Sequence, residues 1–170
     1  MSTMPTAARR SAGAAAFTLI ELMIVIVILG ISAAVVVPLA VDARDLQATS
    51  AARIVTSDLQ YAQNTAIAFQ DPVIVQFQTG VETYRLLDSS WSTLTNPVTK
   101  DPYVVDFRSR DGFGDVDIVS ANFGGFAYFQ YDEMGAPSNA GTVTVRSGSH
   151  VYTIDVAAAT GKVTATGSGS

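Results

Sequence analysis

Phe17–Val41 reads FTLIELMIVIVILGISAAVVVPLAV, and from Leu22 to Val41 it runs twenty residues without a charge. As an α-helix rising about 1.5 Å per residue, such a run reaches about 30 Å, the hydrocarbon thickness of a bilayer. Glu21 interrupts its very start. A lone carboxylate in hydrocarbon costs roughly 3 kcal/mol on insertion scales, so Glu21 requires a partner or a proton. No cationic side chain lies within the turns around it, which leaves an amine, a neighbouring molecule or protonation. Gly30 and Ser32 are small enough to let another helix approach closely. Pro38 removes a backbone donor, which predicts a bend near Val35–Pro38.

Upstream, residues 1–16 are small, polar or basic and include Arg9 and Arg10. Positive charge beside an apolar helix stays cytoplasmic, so the chain after Val41 is expected outside the cytoplasm. Two plainer explanations compete. A secretory signal cleaved near AVDA at 40–43 would have an unusually long apolar core and leave Glu21 without a reason. A signal anchor that spans the membrane and never assembles leaves Glu21 equally idle.

Downstream, residues 42–70 contain no Gly or Pro, and Val55, Leu59, Ala62, Ala66 and Phe69 recur at helical spacing, with Ala48 and Ala51 extending the face. Asp42, Arg44, Asp45, Arg53 and Asp58 supply its polar positions, and Asp71-Pro72 ends the helix. The period then changes to that of strands, at 73–78, 82–87, 103–107, 116–120, 126–131, 142–146, 151–156 and 162–165, with residues 89–102 as a long loop. The pattern predicts an α+β fold: a long N-terminal helix, membrane half plus amphipathic half, packed on a C-terminal antiparallel β-sheet domain. Its expected parts are a leader at 1–16, a membrane or filament-core helix at 17–41, an amphipathic helix at 42–70, a β-rich head at 71–166 and a flexible tail at 167–170.

Composition narrows the function. The chain has 170 residues, a formal net charge of −5 and no cysteine, which excludes a disulfide framework or a thiolate metal site. Loss of the leader arginines would make it more acidic still, an unfavourable balance for binding nucleic acid. His150 is the only histidine, and neither a nucleophile elbow nor a phosphate-binding glycine loop accompanies it. It is expected on the surface at a hairpin, and no enzyme activity, metal or cofactor is assigned. Asp111, Asp115 and Asp117 flank Gly112 and Gly114 but lack the twelve-residue calcium-loop pattern, so a solvated turn is expected, with Arg108 and Arg110 at hand to neutralise it. Alternation places Tyr128 on one sheet face and Phe129 with Tyr131 on the other, which core packing explains without a nucleic-acid ligand.

The basic leader, Phe17, the Glu at position 21 and the apolar helix together resemble the N-terminus of the type IV pilin and type II secretion pseudopilin family. The resemblance implies that a prepilin peptidase cuts between Ala16 and Phe17 and that Phe17 becomes N-methylated. The family usually has Gly before the cut, where this chain has Ala16. It implies also that Glu21 meets the N-terminal amine of a neighbouring subunit and that Pro38 kinks the helix. Residues 128–165, with Gly135 and Gly161-Lys162-Val163, are similar to the closing segment of the minor pseudopilin (GspH/FimT-like) group. The implied protein is a structural minor pseudopilin at the inner membrane, assembled into a periplasmic filament with other pseudopilins on an assembly platform. A minor type IV pilin acting in pilus assembly, adhesion or DNA uptake is the alternative, and a secreted hydrolase cleaved near Ala43 is the enzyme rival.

Overall fold

The computed structural model describes residues 18–168, with backbone alone for residues 34–43. It divides into two units, Met1–Leu39 and Ala40–Ser170, and helix α1 (Leu19–Phe69) crosses the boundary in sequence. Thr18 starts the helix: its Oγ1 accepts the Glu21 N–H at 3.2 Å, satisfying one of the donors that a helix N-terminus leaves free. At the other end Gln70 turns left-handed (φ 50°), its side chain donates to Ile67 O at 2.8 Å, and Pro72 prevents continuation. Helical backbone continues through Pro38, whose side chain, with the bend expected there, lies outside the described residues.

In the second unit α1 buries Ala48, Ala51, Ala52, Val55, Leu59, Ala62 and Ala66. Alanine dominates this stripe, so the helix can lie close to the strands it covers. Phe69, expected on the same face, is instead 77% exposed: it is the last residue of the helix and opens onto a groove that it lines with Val73 and Leu94.

The strands are β1 (Val73–Gln78), β2 (Thr83–Leu87), β3 (Val104–Asp106), β4 (Val116–Phe123), β5 (Tyr128–Tyr131), β6 (Gly141–Ser147), β7 (His150–Val156) and β8 (Val163–Ser168). All eight fall where the sequence pattern put them. The antiparallel β-sheet domain expected from the pattern is built as two four-stranded sheets, ordered β3-β2-β1-β5 and β4-β6-β7-β8. The chain changes sheet three times, after β3, after β4 and after β5, and the second change is the tightest turn. Gly124 (φ 66°) and Gly125 (φ 94°) turn the chain, and Asn122 Oδ1 accepts the Gly125 N–H at 2.9 Å. β5 then pairs with β1 in place of β6. Turn residues announce such a corner but do not say which strand waits beyond it.

The core joins helix and sheets. Phe123 of β4 stacks on Phe129 of β5 at 4.2 Å between ring centroids and faces Phe77 of β1 at 6.0 Å. Alternation holds on β5, where Phe129 and Tyr131 are buried and Tyr128 lies on the opposite face. Of the flexible tail expected at 167–170, Gly167 and Ser168 instead end β8, paired with Tyr152 and Val151, and residues 169–170 lie outside the described residues.

Candidate assembly surface

In the first unit every large apolar side chain from Leu19 to Ile31 is exposed, by 47% to 80%. Leu19, Ile20, Leu22, Ile24 and Val25 together point around the whole helix circumference. An isolated helix that is apolar on all sides is stable only when other helices or lipid cover it. Glu21 stands among these groups and is the sole acid in the first turn. Thr18, three residues earlier, completes the Thr-x-x-Glu spacing of a capping box, a helix-start signal written locally in the sequence. Gly30 has nothing within 4 Å of the place a Cβ would occupy, so its surface is open. Among the described residues no helix is long and apolar enough to cross a membrane. Ala16 and Phe17, the expected cleavage and methylation positions, lie outside the described residues.

The head is fastened to α1 by polar contacts, three of them formed by residues whose roles the sequence did not reveal. Gln63 donates from Nε2 to Gly135 O at 2.7 Å and to Thr160 O at 2.8 Å. One helical amide thus ties together the β5–β6 turn and the β7–β8 turn, which contain the Gly135 and Gly161 singled out in the sequence. Both glycines are left-handed (φ 81° and φ 62°), and a Cβ on Gly161 would stand 2.6 Å from Gly135 O. The Tyr131 hydroxyl donates to Gly161 O at 3.4 Å, and burial pushes that phenol well above its ordinary value.

Asp58, one of the expected polar positions of the helix, is half-buried and accepts two phenols. Tyr84 donates to Oδ2 at 2.5 Å and Tyr103 to Oδ1 at 2.9 Å. Desolvation raises the Asp58 carboxyl above the usual carboxylate range, against the opposing pull of both phenols and of Arg110. Tyr84 and Tyr103 are pushed up in turn, by burial first and by the neighbouring Asp58 charge second. Tyr61 stacks on Tyr103 at 5.3 Å, so helix, β2 and the end of the 89–102 loop meet at this carboxylate.

His150 is not a surface residue. Its side chain is 15% exposed, with Nδ1 3.5 Å from Asp45 Oδ1 on α1. Ser147 Oγ lies 3.0 Å from Gln47 Oε1, and Gly148 backs onto the Arg44 side chain. The β6–β7 hairpin is therefore clamped to the helix, which explains a single histidine without a catalytic role. The acidic run is an exposed turn as expected, but its counter-charges differ: Asp117 pairs with Arg146 at 2.8 Å and Asp115 with Arg44 at 3.9 Å. Arg108 turns to Glu82 at 3.3 Å, and Arg110 lies over the Phe113 ring. Among the described residues no group of three or more His, Cys, Asp or Glu side chains is placed to hold a metal. An open groove of about 540 Å³ lies between the end of α1 and the 89–102 loop, lined by Tyr61, Phe69, Val73 and Leu94 with Asp71 and Asp88 at its rim.

Residues 51–160 match the family model of the type II transport protein GspH, and residues 12–37 match the prokaryotic N-terminal methylation motif. Among solved structures, the minor pseudopilin EpsH from the type 2 secretion system of Vibrio cholerae is similar in fold. Its TM-score is 0.55 at 9% identity, over 71% of this chain and 96% of that one. A second crystal structure of EpsH gives 0.54 at 10% identity, over 71% and 94%. The type IV minor pilin FimU of Pseudomonas aeruginosa gives 0.48 at 14% identity, over 69% and 86%. Comparison with curated protein sequences gives no match.

Proposed function

The chain belongs to the GspH family of type II transport proteins, whose members are structural pseudopilins and not enzymes, and from that membership we propose a specific place for it. It is a minor pseudopilin of a type II secretion system, and it enters or caps a periplasmic pseudopilus that drives protein export. The observation that carries this reading is a helix exposed and apolar on all sides, bearing one carboxylate, in a chain that also folds a two-sheet head.

In this reading the prepilin peptidase removes residues 1–16 and Phe17 becomes the methylated N-terminus. The helix stores the subunit in the inner membrane while the head lies in the periplasm. Passing from lipid into a bundle of like helices keeps the apolar surface covered, so van der Waals packing at small residues such as Gly30 decides the contact. Glu21 gains from the same move, because a neighbour's amine offsets the desolvation that lipid leaves uncompensated. Successive subunit additions on the assembly platform then push cargo outward.

Two measurements test the proposal together. Mass spectrometry of the membrane form should find a mature N-terminus at methylated Phe17. Deleting the gene should abolish export of the cognate secreted proteins without affecting surface pili. A mature chain beginning at Phe17 whose loss removes pili and spares export would instead establish the minor type IV pilin. A chain beginning near Asp42 would overturn both.

A further inference from the structure

The open groove of about 540 Å³ between the end of α1 and the 89–102 loop has Phe69 on its helix side. Phe69 continues the stripe that buries Ala62 and Ala66, yet it is 77% exposed. A large apolar side chain left in water beside a groove gains by being covered. The walls stand without a ligand. The Leu94 N–H donates to Leu86 O at 2.9 Å, and the Tyr103 N–H donates to Leu94 O at 2.6 Å. Tyr61 stacks on Tyr103 at 5.3 Å, which joins the loop wall to the helix wall. Asn96 Oδ1 accepts the Val98 N–H at 2.9 Å and closes the tip of the loop. A groove fixed in this way adds little ordering cost to binding.

Its charges decide what fits. Ile74 of β1 pairs with Leu87 of β2, so Val73 and Asp88 stand side by side just beyond that pair, and Asp71 is two residues before Val73. Both acids line the groove at this end, and neither is paired with a cation among the described residues. Asp88 is held ionised. Its Oδ1 accepts the Ser90 hydroxyl at 2.6 Å and the Ser90 and Ser92 N–H groups at 2.9 Å each. The Ser90 hydroxyl, above all, keeps its carboxyl below the ordinary value. Lys100 lines the groove as well, from the turn at 96–100, and the bridge between Thr95 and Pro102 carries that turn away from Asp88. The groove is therefore acidic at the sheet end, apolar along Phe69 and Leu94, and has a single cation at the turn. A fatty acid or a nucleotide would bring its anion to two like charges, whereas an apolar group beside a cation meets opposite ones.

We propose that the groove takes an extended segment of another protein, one that sets an aromatic or large aliphatic side chain against Phe69 and Leu94 and an adjoining Lys or Arg against Asp71 and Asp88. The groove is open, so a chain can cross it. Thr65 and Thr95 place hydroxyls on the two walls, where a crossing backbone can bond them. Charge disfavours a second copy as the occupant, because two chains of formal net charge −5 repel each other. The same charge steers a basic segment toward the groove, and the apolar anchor then holds it. The inference stands on the head alone and does not depend on which filament the chain serves.

Disulfide trapping on the full-length chain in lipid nanodiscs tests the proposal, because the sequence supplies no cysteine of its own. Thr95→Cys puts a thiol on the loop wall, and Thr65→Cys puts one on the helix wall as an independent position. Each is equilibrated, under mild reduction, with capped thiol-bearing peptides containing Phe-Lys, Phe-Glu or Ala-Lys, and with decanethiol. The Phe-Lys peptide should be retained best at both positions. Its advantage over Phe-Glu should be about two- to thirtyfold, what two exposed ion pairs supply. Asp71→Asn with Asp88→Asn should erase that advantage and leave the melting temperature unchanged, since Asn at 88 keeps the Oδ1 acceptor on which its turn is built. Thr164→Cys, on the exposed strand β8, should show no preference for Phe over Ala. Equal retention of all the peptides, a Lys preference that survives both Asn substitutions, or the same ranking at Thr164→Cys would each overturn the proposal. Decanethiol retained as well as Phe-Lys would make the groove an acyl-chain site instead, and a Thr95→Cys dimer formed without peptide would put a second copy there.

Discussion

Glu82 Oε2 accepts the Ile118 N–H at 2.6 Å, and this bond ties one sheet of the head to the other. Glu82 enters β2 in a left-handed conformation (φ 54°), while Ile118 is the β4 residue at which the bulge begins. The Ile118 N–H faces the free side of the edge strand β4 in a buried place, and the carboxylate supplies its acceptor. Arg108 meets the other carboxylate oxygen at 3.3 Å, so the buried charge is itself compensated.

Residues 44–170 are predicted to fold as a soluble fragment without calcium. The unit Ala40–Ser170 holds the two-sheet core, and Asp117 and Asp115 of the acidic turn pair with Arg146 and Arg44. Thermal unfolding in chelator and in millimolar calcium should give the same midpoint. A large rise with calcium would show a ligand bound to the folded state alone.

In that fragment Glu82→Ala should lower stability by about 1–3 kcal/mol, the cost of leaving a buried donor unsatisfied. The urea midpoint should fall with the m-value unchanged. Asp117→Ala, which removes an exposed pair with Arg146, should cost under about 1 kcal/mol.

Gly161→Ala should destabilise more than Gly135→Ala. Both sites carry the left-handed penalty of about 1–2 kcal/mol for a residue with a Cβ. At Gly135 the new atom would press on the movable tip of Ile67, at 2.7 Å. At Gly161 it would meet the backbone oxygen of Gly135 and the buried Tyr131 ring, which have no room to retreat, adding about 1–3 kcal/mol of overpacking. Equal unfolding midpoints for the two variants would contradict this.

Asp58 should make stability pH-dependent in the direction opposite to a salt-bridged acid. Its carboxyl is raised in the folded state, chiefly by desolvation, so the folded chain holds the proton more tightly than the unfolded chain. The contribution is fully present below the ordinary carboxylate value and is lost as pH rises through the raised value of Asp58. The stability difference between the parent and Asp58→Asn should therefore shift in favour of the parent as pH falls across that window. A difference that stays flat from pH 3 to 7, a range of about four units around the ordinary carboxylate value, would refute it.

Glu21→Ala should leave the head folded and the leader cleaved, yet reduce entry into the filament. The substitution removes an unfavourable charge from the apolar helix and, with it, the contact proposed to set axial register. Glu21→Asp, which retains charge with a shorter reach, should be partly impaired. Crosslinking to other pseudopilins, leader processing and protease resistance of the head, measured in the same cells, separate the outcomes. Failed cleavage in the Ala variant would assign Glu21 to peptidase recognition instead.

Periodicity was enough to place the helix and all eight strands, because each is a local matter. A residue three or four positions along shares a helix face, and one two positions along shares a strand face. The leader, Phe17 and Glu21 were likewise legible as a short contiguous pattern, and the glycines at 135 and 161 stood out as turn residues. Phe69 lies on the buried face by periodicity yet is exposed, because periodicity says which face a side chain occupies but not what covers it.

The division into two sheets and the polar fastenings came from tertiary structure alone. Gln63 looks like any exposed helical amide until turns 72 and 97 residues away bring their carbonyls to it. Asp58 reads as one polar position of the helix among several until Tyr84 and Tyr103 close over it, and His150 reads as a hairpin tip until Asp45 faces it. Each depends on which strands become neighbours, and that is set by packing the whole core around α1. Local sequence fixes the period and the exposed face of every element, whereas the partner of a buried polar group is chosen only when distant segments compete to exclude water from the same core.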